Sequence, residues 1–259
     1  LVGIEAATIE SAGASGGAAL RAGYLAVASG EADVALVVGV EKFTDQVGGA
    51  VDAALASASD SDYEAVQGLT PTAQAALLMR RYLSEYQAPR EAFGGFALIA
   101  HANGAGNPKA MFRKAISPET YKRAAQVSEP LNMFDVAPNA DGGAALVLTR
   151  PALLPGDFPH PLVRVSGSSL VTDTLALHDR PNPLVFNAAR LSAERACRQA
   201  GVAPQDMQLF ELYDSYSIYV ALSLEAAGFA QLGEGWRMAQ DGSLSLSGRP
   251  CAPCTRSAT

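Results

Sequence analysis

A turn of small residues near the start of the sequence has the composition of an anion-binding or nucleophile-bearing loop. Residues 12–17 read AGASGG and lie between a predicted strand and a predicted helix. Backbone N–H groups at the positive end of a helix suit an oxyanion or a phosphate. The same residues match G-x-S-x-G, the nucleophile elbow of serine hydrolases, with Ser15 as the nucleophile. The alternative is that these glycines only allow the helix to pack closely on a sheet.

Three cysteines are the other residues with reactive side chains of their own. Cys251 and Cys254 have the spacing of a redox pair or of half a zinc site. Because no second C-x-x-C exists in the sequence, we predict no metal site. Cys197, within a predicted helix, is interpreted as a packing residue. So few cysteines predict free thiols and a reducing, cytoplasmic location.

The composition excludes several classes of protein. Of the 259 residues, 49% are hydrophobic and 17% are charged, which is enough apolar material for a core and excludes a disordered chain. The net charge of −7 and the lack of a basic stripe argue against a nucleic-acid partner. Apolar stretches are interrupted too early for a membrane span. Because residue 1 is leucine, we expect the chain to be a fragment.

The elements around the turn form a recognisable unit. Ile4–Ser11 is strand-like, Ala18–Ser29 has helical spacing, and Gly30 stands where a C-terminal cap belongs. Val34–Val40 is a short apolar run of the kind found in buried strands. Strand, turn, helix and buried strand make a βαβ unit, so we predict an α/β fold with a parallel or mixed sheet.

The rest of the chain divides into a helical region, a linker and a second α/β half. Residues 1–150 are predicted as the first half, with a helical and loop-like region at about 43–138. Residues 151–161 hold four prolines and are predicted as a linker to the second half, residues 162–259. The predicted elements are helix Thr72–Tyr86 (capped by Thr70 or Thr72), helix Pro89–Ala102, strand Ala144–Leu148, strand Leu162–Ser168, helix Asn187–Ala200, strand Gln208–Leu212 and helix Ser217–Ala227.

Four segments, in order, resemble the thiolase superfamily. Residues 9–42 resemble its nucleophile segment, with the turn A-C-A-S-G, then S-G-x-A-D and V-G-x-E. Residues 100–112 resemble the segment ending N-P-x-A, residues 130–148 the strand "P-L…D…DGAAA", and residues 210–229 the H-D-x-F segment of sterol-carrier-type and archaeal thiolases. The resemblance implies a layered αβαβα fold of two similar halves with mixed sheets, incomplete in this chain.

The same resemblance implies a substrate, a cofactor state and partners. An acyl-CoA thioester would be the substrate, with no resident cofactor. Members of the superfamily are dimers or tetramers, so a homodimer is expected. The sterol-carrier-type and aldolase branches work with a small protein that combines an OB-fold and a zinc ribbon, which makes such a protein a candidate partner.

Two departures from the family motifs point to one branch. The nucleophilic cysteine of the family falls on Gly13, so no acyl-enzyme can form there. Gly13 keeps its backbone N–H, which can still serve as an oxyanion donor. Tyr213 replaces the motif histidine; it is either a buried tyrosine with a satisfied hydroxyl or a group that exchanges a proton with an alkoxide-type oxygen. The thiolase-like steroid side-chain aldolases also lack the cysteine and carry Y-D at this motif.

The resemblance also implies roles for neighbouring residues. Asp214 belongs with the catalytic residues Tyr213 and Gly13, and we expect it to orient the loop rather than to react. Ser15, Gly16, His101 and Asn107 are the candidates for binding on the CoA side.

The last residues match nothing in the family. Where the family carries G-G-L-K-A-R-G-H-P, residues 243–259 form an aberrant tail. Codons for Cys254–Thr259 read one base earlier can encode Leu-His-Pro-Val-Gly-Asp, which predicts a frameshift that resequencing would reveal. Without the histidine loop, this chain is expected to be inactive and poorly soluble.

Three functions therefore remain open from the sequence. The first is an acyl-CoA enzyme, acyltransferase-like in family, that makes or breaks a C–C bond in the retro-aldol manner without a cysteine acyl-enzyme. The second is a non-catalytic thiolase-like subunit that scaffolds a complex. The third is a serine hydrolase that uses Ser15.

Overall fold

The computed structural model describes residues 2–46 and 49–245. Seven α-helices and four strands are present in these residues, joined by short 3-10 helices. The helices are α1 (Ser15–Ser29), α2 (Gly49–Ala56), α3 (Pro71–Tyr86), α4 (Gly94–Ala105), α5 (Pro118–Lys122), α6 (Asn187–Ala200) and α7 (Ser217–Ala226). The strands are β1 (Val34–Glu41), β2 (Gln126–Ser128), β3 (Leu131–Asn132) and β4 (Gly142–Thr149). Within the described part of the chain, every helix is too short or too polar to cross a membrane.

Helix α1 and strands β1 and β4 form a unit that we call the sheet unit. Gly30 ends α1 in the left-handed conformation and its N–H bonds the carbonyl of Val27, as the sequence predicts. A Cβ on Gly23 would lie 2.7 Å from Cγ2 of Val37, so this glycine allows α1 to pack closely on β1. The opposite face of β1 is bare, and Val38 is 55% exposed. The prediction of a buried strand at Val34–Val40 is therefore wrong in burial, although the strand itself is confirmed.

The large buried side chains lie in a second region, which we call the helical core. It comprises α3, α4, α7 and the 3-10 helix Gly235–Ala239. Thr70 caps α3 by accepting a hydrogen bond from the N–H of Ala73 at 3.2 Å, so the predicted helix and one of its two predicted caps are confirmed. Its core residues at 2% exposure or less include Tyr82, Met79, Phe93, Leu131, Leu184, Ile218 and Leu222.

Several predicted elements take another form. The three segments Ile4–Ser11, Leu162–Ser168 and Gln208–Leu212 are not strands, because none of them forms a ladder with another strand among the described residues. Around Ser168, side chains bond the backbone instead. The Arg21 guanidinium donates to the carbonyl oxygen of Ser168, and the N–H of Ser168 donates to Oε1 of Gln199 at 3.0 Å.

The observed sheets are antiparallel pairs, where the βαβ interpretation predicted a parallel or mixed sheet. Strand β1 pairs with β4, with Val34 opposite Thr149 and Glu41 opposite Gly142, and β2 pairs with β3. The predicted helix Pro89–Ala102 is also split, into a 3-10 turn at Arg90–Phe93 and helix α4. Within α4, Gly95 allows the backbone of Ala239 to approach closely, since a Cβ there would have no room. Helix α6 has the predicted bounds, and α7 ends one residue early.

One short contact joins the region around β3 to the start of α7. Val136 and Tyr216 form an isolated antiparallel bridge, and the N–H of Ala137 bonds the carbonyl of Ser215 at 2.9 Å. These backbone bonds fix the segment that carries Tyr213 and Asp214 against the α4 side of the molecule.

Candidate active site

The small-residue turn holds Ser15 in a closed set of hydrogen bonds. Ser15 Oγ accepts from the N–H of Ser11 at 2.8 Å and lies 2.8 Å from Oε1 of Glu10. Glu10 also accepts from the N–H of Ala12 at 2.7 Å, and the bonds from Ser15 and Ala12 lower the pKa of the Glu10 carboxyl. The Ser15 hydroxyl thus stabilises the turn. In residues 2–46 and 49–245 it has no histidine partner, so the geometry of a serine hydrolase is not formed there.

Tyr213 lies directly against Gly13. An ideal Cβ on Gly13 would be 3.1 Å from both Cε2 and Cζ of Tyr213 and 3.3 Å from its hydroxyl oxygen. The side chain of Tyr213 is 55% exposed, and its hydroxyl makes no hydrogen bond to any other residue that the structure describes. The fold therefore brings together two residues that are 200 positions apart in the sequence, and it leaves the phenol hydroxyl open to a ligand.

Two further tyrosines support the ring of Tyr213. The rings of Tyr213 and Tyr219 stack with centroids 6.2 Å apart and an interplanar angle of 23°. Tyr219 contacts Tyr216 edge to face at 5.1 Å, and the Tyr216 hydroxyl lies 3.0 Å from Oγ1 of Thr72. Burial raises the pKa of both Tyr216 and Tyr219, which keeps them neutral. We did not predict these two residues, although tyrosine recurs at every third position in 213–219.

Asp214 and His101 line one apolar groove beside these rings. The groove has a volume of about 260 Å³, and Phe112, Phe134 and Val220 are among its walls. Partial desolvation raises the pKa of the Asp214 carboxyl, although the residue as a whole is exposed. Asp214 lies in this groove. Its predicted role, which is to orient the loop, stays a prediction.

His101 is held by aromatic neighbours. Its ring stacks on Phe112 at 5.9 Å and meets Phe134 edge to face at 5.5 Å. Its Nδ1 donates to the carbonyl oxygen of Lys114 at 3.2 Å. Beyond His101, the groove continues into a second hollow of about 440 Å³ whose walls include Arg113 and Lys114. The groove thus has mostly apolar walls, with the carboxylates of Asp135 and Asp214 at one end and the basic side chains of Arg113 and Lys114 at the other.

The remaining predicted binding residues make local contacts. Oδ1 of Asn107 accepts from the N–H of Lys109 at 2.9 Å, which closes a turn that Asn commonly forms. Gly16 lies exposed in the first turn of α1, and a Cβ on it would meet nothing within 4 Å. The structure brings Gly13 to Tyr213 and places His101 and Asp214 in one groove, whereas the side chain of Asn107 contacts neither pair.

A buried carboxylate that the sequence reasoning missed fixes the start of α7. Asp135 accepts from the hydroxyls of Tyr121 at 2.8 Å and Ser217 at 2.7 Å, through one oxygen. Its other oxygen pairs with Arg90 at 2.5 Å and accepts from the N–H of Asn132 at 2.9 Å. The sequence signal is the spacing N-x-x-D, which forms a capping box here. Asp135 thus ties the 3-10 turn before α4, helix α5 and the start of α7 together beneath the groove.

Side chains that could bind a metal ion are not clustered among the residues that the structure describes. No group of three or more His, Cys, Asp or Glu side chains that could hold a metal ion occurs in residues 2–46 and 49–245. Cys251 and Cys254, the candidates for a redox pair or half a zinc site, lie outside the described residues, as does most of the tail 243–259.

Comparison with known families defines the class of this protein. The family model for "Thiolase, N-terminal domain" matches residues 2–133. The family model for "Thiolase C-terminal domain-like" matches residues 169–254. The chain belongs to the thiolase superfamily. The resemblance read from four sequence segments is confirmed, and so is the thiolase-like α/β fold.

Individual relatives include both transferases and lyases. The chain is 38% identical over 248 residues to an "Acetyl-CoA acetyltransferase" of Methanothermobacter thermautotrophicus, covering 96% of this chain and 64% of the relative. It is 30% identical to the "17-hydroxy-3-oxo-4-pregnene-20-carboxyl-CoA lyase" of Mycobacterium tuberculosis, covering 93% and 65%. The solved structure of the "Ltp2-ChsH2(DUF35) aldolase" superposes with a TM-score of 0.79 at 30% identity, covering 90% of this chain and 62% of that one. The chain thus spans less than two thirds of the length of these relatives.

Proposed function

We propose that this protein makes or breaks a C–C bond in an acyl-CoA by aldol-type chemistry, without an acyl-enzyme. One observation carries the proposal. The phenol of Tyr213 occupies the space beside Gly13, where a nucleophilic side chain would otherwise stand, and its hydroxyl is free of protein partners among the described residues.

The proposed reaction needs a group that accepts a proton and a group that stabilises an oxyanion. In the cleavage direction, Tyr213 in its deprotonated form takes the proton of the β-hydroxyl, the Cα–Cβ bond breaks, and the β-carbon becomes a carbonyl. The electron pair moves onto the thioester as an enolate, whose oxygen the backbone N–H of Gly13 stabilises. The Tyr213 phenol then returns this proton to Cα, which completes the reaction and restores the deprotonated form. No covalent bond to the protein forms in this scheme.

Sequence identity to the relatives does not favour aldol-type chemistry, but the residues of the candidate site do. The acetyltransferase relative is more similar in sequence than the lyase relative. A thiolase, however, holds its acyl group on a thiolate between two half-reactions, and Gly13 has no side chain to provide one. The named lyase and the named aldolase support the cleavage of a C–C bond in a CoA ester as the better assignment.

The groove that contains His101 is the proposed site for the substrate. Its apolar walls suit an acyl group near Asp214, and Arg113 and Lys114 at the far hollow suit the phosphates of CoA. In this proposal His101 is a wall of the CoA side, and Asp214 orients the loop that carries Tyr213. Ser15, Gly16 and Asn107 keep weaker proposed roles, since their contacts are local.

Partners and location are proposed from the same resemblance. The name of the aldolase neighbour joins two components, Ltp2 and ChsH2(DUF35), which supports a partner protein for this one; an OB-fold and zinc ribbon in that partner stay a prediction. A homodimer and a cytoplasmic location stay predictions.

The test is the variant Tyr213→Phe in the purified full-length protein. We expect kcat/KM for cleavage of a β-hydroxyacyl-CoA to fall by about 100-fold or more, because general base catalysis contributes that much. Tyr63→Phe is the matched control, since Tyr63 is 70% exposed and contacts His178 instead. Turnover that is unchanged in Tyr213→Phe, or absent from the unaltered protein, would contradict the proposal. The absence of turnover would favour the scaffold subunit.

A mass measurement tests the absence of an acyl-enzyme separately. After incubation with acetyl-CoA, we expect the intact mass of the protein to stay unchanged. An acetyl group on Ser15 would bring back the hydrolase alternative, and one on another residue of the turn would refute the proposed chemistry.

A further inference from the structure

We infer that the ring of Tyr213 disfavours any side chain at position 13, so that residue 213 influences whether a nucleophile can stand in this turn. Tyr213 is then a specificity-determining residue as well as a catalytic one. The catalytic meaning of this inference rests on the proposed function. The clash between a side chain at position 13 and the ring of Tyr213 does not depend on that function. It can be tested on the protein without a substrate.

The backbone does not require glycine at position 13. The left-handed residue of the turn is Ala12, with φ of 48°, whereas Gly13 is not among the glycines with positive φ. An alanine or a cysteine could therefore adopt the backbone conformation of residue 13 without strain. Conformational freedom, the usual reason for a glycine in a tight turn, does not explain this one.

The space around Gly13 favours glycine. Carbon atoms in contact are usually about 3.5–4.0 Å apart, and a Cβ on Gly13 would approach Cε2 and Cζ of Tyr213 to 3.1 Å. Glycine at 13 and tyrosine at 213 thus fit each other, and an alanine or a cysteine at 13 requires the ring of Tyr213 to shift.

Neighbouring rings limit how far Tyr213 can move away. Tyr213 stacks on Tyr219, which is itself packed against Tyr216 at 5.1 Å and Phe186 at 5.5 Å. To make room for a Cβ at position 13, Tyr213 must shift against this group of rings and lose part of the stacking. The cost of a larger residue at 13 therefore depends mainly on the ring at 213, whose Cε2 and Cζ lie nearer to the Cβ than its hydroxyl oxygen does.

A neighbouring glycine in the same helix start provides the matched control. A Cβ on Gly17 would meet nothing within 4 Å. Gly17→Ala therefore adds a methyl group without a clash, and alanine is also the better residue in a helix. Gly13→Ala and Gly17→Ala are the same chemical change, four positions apart, with and without Tyr213 in contact.

The experiment is a cycle of thermal unfolding temperatures, measured on the purified protein. We expect Gly13→Ala to lower Tm by about 3 °C or more when residue 213 is tyrosine. In a Tyr213→Ala background, Gly13→Ala should leave Tm unchanged or raise it by about 1–3 °C. Gly17→Ala should lower Tm in neither background. An equal loss in both backgrounds, or no loss beside Tyr213, would overturn the inference.

A Tyr213→Phe background separates this inference from the proposed function. The ring remains there and the hydroxyl is gone, so Gly13→Ala should again lower Tm by about 3 °C or more. If turnover survives Tyr213→Phe while this cycle holds, the catalytic proposal fails and the steric inference stands. If turnover is lost but the cycle shows no coupling, the steric inference fails alone.

A thiol probe examines the same coupling chemically. We expect the thiol introduced by Gly13→Cys to react with iodoacetamide at least ten-fold more slowly than the same thiol in the double variant with Tyr213→Ala, as followed by peptide mass mapping. In this reaction the sulfur displaces iodide and forms a thioether. Equal rates in the two variants would show that the ring does not restrict position 13, and would contradict the inference.

Discussion

The helical core and the sheet unit of this protein are packed very differently. In the helical core, Tyr82, Phe93 and Ile218 are fully buried. In the sheet unit, α1 covers one face of β1, while Val38 and Val40 on the other face are 55% and 78% exposed. Because burial of apolar surface is the main stabilising contribution to folding, most of the stability of the described chain lies in the helical core.

The candidate active site joins these two regions. Gly13 precedes α1 of the sheet unit, whereas Tyr213 precedes α7 of the helical core. The well-packed region thus holds the aromatic side chain, and the exposed region supplies the backbone against which that side chain rests. The following predictions test this difference in packing, beginning with the largest expected effect.

Truncation of one side chain in each region tests the difference directly. Phe93→Ala should reduce the free energy of unfolding by about 3–5 kcal/mol, because it leaves a cavity in the core. Val38→Ala should reduce it by less than about 1 kcal/mol, since that side chain is already largely in water. Urea denaturation measures both values. Similar losses for the two variants would show that the exposed strand contributes to stability as much as the core does.

The buried carboxylate of Asp135 should be worth more than any surface ion pair. Asp135→Asn removes the charge that faces Arg90, whose side chain is 25% exposed, and should cost about 3 kcal/mol of unfolding free energy. Glu85→Gln is the control, because the exposed pair Arg81–Glu85 should contribute less than about 1 kcal/mol. Chemical denaturation of both variants checks this order, and a loss for Asp135→Asn as small as the control would contradict it.

Glu225 should make the stability of the helical core depend on pH. Its Oε1 accepts from the Tyr82 hydroxyl at 2.5 Å and from the N–H of Gly235 at 2.8 Å, and its buried Oε2 has no partner among the described residues. Burial raises the pKa of this carboxyl in the folded state. The stability that its protonation contributes is therefore complete below the unfolded pKa and is lost as pH rises through the folded pKa.

Glu225→Gln isolates that contribution. The difference in unfolding free energy between the unaltered protein and this variant should fall as pH rises, because all other titrating groups are common to both. Glu91→Gln, at an exposed glutamate of the same region, is the control variant measured beside it. A difference that stays constant with pH would mean that the Glu225 carboxyl titrates alike in the folded and unfolded chain.

The smallest effect is expected in the turn of the sheet unit. Ala12 has φ of 48°, a conformation that costs an L-residue about 1–2 kcal/mol. Ala12→Gly should therefore stabilise the protein by up to about 1 kcal/mol, since part of the gain is offset by the entropy of glycine. Ala19→Gly within α1 should have the opposite sign and cost about 1 kcal/mol. Thermal unfolding of the two variants compares them, and a loss of stability in Ala12→Gly would show that the turn is not strained.

The sequence was informative about helices and poor about strands. The bounds of α6, the Thr70 cap of α3 and the Gly30 end of α1 follow from local patterns, because a helix satisfies its backbone hydrogen bonds within its own segment. Ile4–Ser11 has a strand-like composition but forms no strand. A strand exists only where another segment pairs with it, and composition does not say which segment does so.

In the candidate site, the types of the residues follow from the sequence, whereas their contacts follow only from the tertiary structure. The sequence by itself determined that position 13 carries no nucleophile and that a tyrosine stands in the motif at 213, because both are statements about residue types. Only the tertiary structure decided that the Tyr213 ring fills the space beside Gly13, that Tyr216 and Tyr219 support it, and that Asp135 anchors the start of α7. These facts depend on distances between residues far apart in the chain, and such distances are set by packing rather than by local sequence.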